Sequence, residues 1–255
     1  MKVNSFTSKA NKPLFALLDS LLAQYGFEFE PQDAPARPDI AVWKKPLGPT
    51  LKAAISIILN STLPPNTWSL DPVVMIDSAY VASWYNTLRL YRDFSRVASD
   101  YEDPTYLQVL RYYPAHIRWQ ERPDLEFPTL KGRQDTLDSV KDEFTDVLEH
   151  YAMPVLERMG DSLALAEFQV RAETEFRATR ITWDEPRYVV GRPYISTALL
   201  FDEAGQTNRA ISFLERAHEE WSRRSPVSDP AVTKRTLGQF DRLLEHLRQK
   251  ASSAD

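Results

Sequence analysis

A chain of 255 residues, 43% hydrophobic and 26% charged, is long enough to bury a substantial core and too apolar to stay unfolded. Its formal charge of −5 argues against a general nucleic-acid binder, which needs a basic surface to displace counterions, and suits a basic protein partner better. With no cysteine, disulfides and thiolate metal sites are impossible, and a reducing compartment fits.

Met1 to Pro13 hold no apolar signal core, and no later run is long and apolar enough to span a bilayer, so a cytoplasmic location without membrane contact is expected. Asn11 is placed to cap a first helix carrying Pro13 in its first turn. Leu14, Leu17, Leu18, Leu21, Leu22 and Tyr25 form its apolar stripe, and Gly26 ends it. Phe27 and Phe29 alternate with Glu28 and Glu30 as in a short strand, and a proline-rich connection from Pro31 to Pro38 leads to a second strand, Ile40 to Lys44. After the turn Pro46-Leu47-Gly48-Pro49, the stretch Thr50 to Ser61 satisfies both periods. Its isoleucines and flanking turn signals favour a strand. Pro64-Pro65-Asn66 turns the chain into a further strand, Trp68 to Ile76, with Pro72 near an end or a bulge. These pieces make a small antiparallel sheet.

Asp77 or Ser78 caps the next helix, with Val81, Trp84, Leu88 and Tyr91 inward. Asp103-Pro104 starts a short helix through Tyr112, and Ile117 and Trp119, alternating with His116, Arg118 and Gln120, read as a closing strand. Residues 121–134, with Pro123 and Pro128, read as the main linker. The expected class is therefore α+β: a small antiparallel sheet with helices in residues 1–125, and an all-helical half, 126–255, packed against it as one compact unit.

The helical half opens with the most informative stretch, Asp135 to Tyr151. Leu137, Val140, Phe144, Val147, Leu148 and Tyr151 recur at helical spacing, while Asp135, Asp138, Asp142, Asp146 and Glu149 fall in one narrow sector opposite. Like charges four residues apart cost a helix a few tenths of a kcal/mol per pair, roughly, and no lysine on that sector offsets them. Aspartate is also a poorer helix former than glutamate. A face that tolerates repulsion is suited to a cationic partner; the plainer reading is a solvated face. Pro154 kinks this helix or starts a new segment, which Gly160 ends. Further helices follow: one capped by Asp161 with Leu165, Phe168, Ala172 and Phe176 inward, a hairpin from Tyr194 through Gly205 to Trp221, and a last helix after Ser228-Asp229-Pro230. Pro186 to Pro193 reads as a loop.

No catalytic residue, cofactor motif or metal site emerges. Gly160-Asp161-Ser162-Leu163 spells a hydrolase nucleophile motif, but it falls between two helices and no Asp-x-x-His follows, so capping accounts for it. The P-loop and the dinucleotide fingerprint are missing, and His116, His150, His218 and His246 form no His-Glu-x-x-His pair. Carboxylates converging only in the fold leave an unrecognised enzyme as one alternative. Tyr80, Trp84, Tyr85, Tyr91 and their neighbours lie beside Arg89, Arg92 and Arg96, the residue types of interface hot spots. Tyr85, Arg89 and Arg92 are thus a second candidate partner surface, with core aromatics as the plain alternative.

Tyr194, Ala198, Phe201, Gly205, Ala210, Leu214 and Ala217 stand at the spacings of a tetratricopeptide repeat, which the hairpin resembles; an adaptor role follows as a second alternative. Only one copy is present, so the hairpin reads as a packing element inside a larger fold. The layout as a whole, with the Leu-rich first helix ending Tyr25-Gly26-Phe27, the strand block, and the helix running into Met153-Pro154-Val155-Leu156-Glu157, resembles bacterial α+β proteins found among the immunity proteins of polymorphic toxin systems. That resemblance implies binding and inhibition of a toxin or effector rather than catalysis, and supplies no functional residue. The expected partner surface is then Asp135, Asp138, Asp142, Asp146 and Glu149.

Overall fold

The computed structural model describes residues 6, 8–9, 11–31, 39–60, 67–88, 90, 107–122, 124–125, 129–133, 137–179, 194–223 and 230–253. Expectations for the turn at 64–66, the start of a helix at 103–104, the loop at 186–193 and the cap at 228–229 lie outside them, as do Arg89, Arg92 and Asp135. The fold is α+β, with an antiparallel sheet in the N-terminal half and helices that pack together in the C-terminal half.

Helix α1 spans Lys12–Gln24 and buries Leu14, Leu18, Leu21 and Leu22, as its leucine spacing requires. Asn11 occupies the capping position but makes no side-chain cap bond; instead the backbone N–H groups of Asn11 and Lys12 donate to the Ser8 carbonyl. The C-terminus closes as expected at Gly26, whose φ of 79° is open to glycine. Gly26 N–H donates to Ala23 O and Phe27 N–H to Leu22 O, satisfying two otherwise orphaned carbonyls.

The sheet comprises β1 (Glu28–Phe29), β2 (Ile40–Pro46), β3 (Leu51–Asn60), β4 (Thr67–Ser78), β5 (Leu107–Tyr112) and β6 (Leu130–Arg133). Its order is β1-β2-β3-β4-β5, with β6 also paired to β4. In the β2/β3 hairpin Trp43 lies opposite Ile55, and Trp43 Nε1 donates to Asp19 Oδ1 of α1 at 2.8 Å. The ambiguous stretch is indeed a strand. Leu51, Ala53, Ala54, Ile55, Ser56 and Ile57 are all buried, so both faces of β3 are covered and the usual alternation is lost. Pro72 comes two residues after Leu70, the last residue of β4 in register with β6, so its missing N–H falls clear of that ladder.

Two expectations in this region are corrected. Leu107–Tyr112 is a strand, not the end of a helix. Pro114–Glu121 is a helix, α3, started by Pro114 and burying Ala115, Ile117 and Arg118, where alternation suggested a strand. The linker also contains structure, because Leu130–Arg133 is paired antiparallel to Thr67–Leu70.

Helix α2 (Ala79–Thr87) is capped by Ser78, whose Oγ accepts from Val81 N–H at 3.1 Å. Helix α4 (Leu137–Val147) runs through one π-helical turn, Leu148–Ala152, into α5 (Met153–Arg158). Met153 N–H donates to Leu148 O, five residues back, just ahead of the proline that has no N–H to give. The expected kink at Pro154 therefore takes the form of a local widening of the helix. The remaining helices are α6 (Ser162–Thr179), α7 (Tyr194–Glu203), α8 (Thr207–Arg223) and α9 (Pro230–Ser252).

By its contacts the chain forms two compact units, interleaved in sequence. The described residues of one fall in Met1–Asp77 and Leu110–Arg158; those of the other fall in Ser78–Val109, Met159–Arg180 and Gly191–Asp255. In the second unit α7 packs on α6, α8, α9 and α2, and every residue from Tyr194 to Asp202 is buried.

Candidate acidic docking face

Helix α4 is amphipathic as its sequence dictates. Val140, Phe144 and Val147 are buried, and Leu148, Ala152 and Leu156 continue the apolar face through the π turn and α5. The opposite face carries the carboxylates, which divide into two groups.

Asp138 and Asp142, one helical turn apart, are exposed, and no described residue forms an ion pair with either. Asp138 stands in the first turn of α4, where the helix dipole favours a negative charge. Asp146 and Glu149, by contrast, are engaged within the first unit. Arg118 of α3, its side chain only 10% exposed, directs Nε to Asp146 Oδ2 at 2.7 Å and Nη1 toward Glu143 Oε2 at 3.5 Å. His150 Nδ1 lies 3.1 Å from Asp146 Oδ1. Tyr25, at the end of α1, donates its hydroxyl to Glu149 Oε1 at 2.9 Å. Desolvation, then that hydrogen bond, holds the Tyr25 hydroxyl above its ordinary pKa. Tyr151 is raised as well, by desolvation first, then by the negative charge of Glu121 and by its hydrogen bond to that residue. The Tyr25 bond ties the π turn to α1, and the Arg118 ion pair ties α3 to α4.

The sequence-predicted partner residues therefore separate. The structure brings Asp138, Asp142, Asp146 and Glu149 onto one helical surface, with half of them already bonded internally. Tyr85, expected at a second partner surface, is 4% exposed and is a core residue of α2.

A second polar centre was missed by sequence reasoning. Asp202, whose side chain is fully buried in the second unit, accepts from Lys250 Nζ at 2.8 Å on both oxygens, from Thr207 Oγ1 at 2.7 Å and from Tyr80 OH at 2.5 Å. Four helices, α2, α7, α8 and α9, thus meet on one carboxylate. Burial by itself raises the Asp202 pKa, but the bonds from Lys250, Tyr80 and Thr207 outweigh it and hold the group below its ordinary value. Burial and the Asp202 bond push the Tyr80 hydroxyl strongly upward. The available signal was an acid shortly before a helix-ending glycine, with a hydroxyl just beyond it. Each carboxylate oxygen accepts two of these bonds, so the arrangement ties the four helices together.

The hydrolase-like tetrapeptide is a cap, as expected. Asp161 Oδ1 accepts from Ala164 N–H at 2.8 Å, and Ser162 Oγ donates to Glu203 Oε2 at 2.5 Å. Among the described residues no three His, Cys, Asp or Glu side chains are placed to hold a metal ion, and no helix is long and apolar enough to cross a membrane. No protein-family model matches this chain, and no curated protein or solved structure matches it.

Proposed function

We propose that this protein is a non-catalytic binding protein of immunity type, which neutralises a toxin or similar effector by covering a basic surface on it. The observation that carries the reading is the pair Asp138 and Asp142: two exposed aspartates on successive turns of a well-packed helix, with no ion pair to a described residue. A rigid helix presents them without further ordering, so attraction to a cationic partner is not offset by a large entropic cost. The formal charge of −5 acts in the same direction at long range. The adaptor reading has less support, because the face of α7 that a peptide groove would use is buried from Tyr194 to Asp202.

The test is affinity capture from the native host with the native protein and with the double variant Asp138→Lys/Asp142→Lys, followed by binding kinetics with the captured protein. Two exposed ion pairs at about 0.2–1 kcal/mol each correspond to a loss of roughly 2- to 30-fold in affinity, carried mainly by the association rate and shrinking as salt rises. Equal affinity and equal association rate of the two proteins at low ionic strength would remove the proposal.

A further inference from the structure

We draw no further inference here: the strongest candidate, the side-chain cluster of Asp71, Arg111, Tyr113 and His116 where β4 and the end of β5 meet the start of α3, keeps Asp71 Oδ1, Arg111 Nε and His116 Nε2 closed off from solvent, and among the described residues nothing opens a path to them or selects a ligand.

Discussion

Replacing Asp202 by asparagine tests whether the buried carboxylate holds the helical unit together. The native group receives one bond from each of two hydroxyls and a bidentate bond from Lys250. Asparagine keeps the volume and one acceptor oxygen, so one hydroxyl bond survives and the other, worth about 1 kcal/mol, is lost. The charge-assisted bond would be worth more in a sealed site, but the Lys250 side chain is 44% exposed and turns to water, which reduces its share to about 1 kcal/mol. The expected loss is therefore about 2 kcal/mol at neutral pH. Urea unfolding followed by intrinsic fluorescence measures the total, and hydrogen exchange at the α7 amides shows whether the loss falls in the second unit.

The pH dependence supplies the sharper check. The folded-state pKa of Asp202 is depressed, so its stabilisation is fully present above the unfolded value of 3.8 and is lost as pH falls through the folded value. On acidification the native protein should lose this contribution while Asp202→Asn has none to lose, and the gap between them should close below about pH 4. A gap smaller than about 0.5 kcal/mol at pH 7, or one that stays constant through the acid limb, would refute the reasoning.

Tyr80→Phe addresses the opposite limb. A raised phenol pKa means that the stabilisation is complete below the ordinary value of 10.0 and is lost as pH rises toward the folded value, so in thermal melts the native protein should decline more steeply at alkaline pH than the phenylalanine variant, which keeps only the contributions of Tyr25, Tyr113 and Tyr151. Gly205→Ala should cost about 1 kcal/mol from backbone strain alone, because φ is 74° and an added Cβ would meet nothing within 4 Å; Gly205→Asn should cost less, and equal melting temperatures for all three proteins would contradict this.

How much of this was legible in the sequence depended on what covers each element. The leucine stripe of α1 and its terminating Gly26 could be read directly, because one face is buried and the other wet. Gly205 ends α7 through the same pair of bonds, from Gly205 N–H to Asp202 O and from Gln206 N–H to Phe201 O. Strand β3 could be read only by its isoleucines and flanking turns, because burial on both faces adds apolar residues that complete a helical stripe beside the strand alternation. Tyr85 looked like an interface residue because Tyr and Arg mark hot spots, yet composition does not record which side of α2 faces inward. Asp202 was overlooked because its partners Tyr80 and Lys250 lie 122 and 48 residues away, and convergence over such separations leaves no local pattern.

The misreading of α3 has the largest consequence for the acidic face. Taken as a strand, residues 116–120 place Arg118 on the polar side, pointing away from the core. As a helix started by Pro114, the same residues bury Arg118 beside Ala115 and Ile117 and bring its guanidinium to α4. The repulsion inferred among Asp138, Asp142 and Asp146 counted only cations on the same helix, so it overstated the strain at Asp146 and remains valid for the first two. A stability comparison follows. Asp146→Lys places a cation against a nearly buried guanidinium and should cost about 1–3 kcal/mol, as breaking a half-exposed pair and adding repulsion requires. Asp138→Lys and Asp142→Lys, on the exposed sector, should each stay within about 0.5 kcal/mol of the native protein. Arg118→Met should resemble Asp146→Lys in direction while leaving the face more negative, which predicts faster association with a basic partner at low salt. If all three aspartate variants unfold at the same urea concentration, the division of the face into a structural pair and a free pair is wrong, and Asp146 and Glu149 return to the docking surface on equal terms.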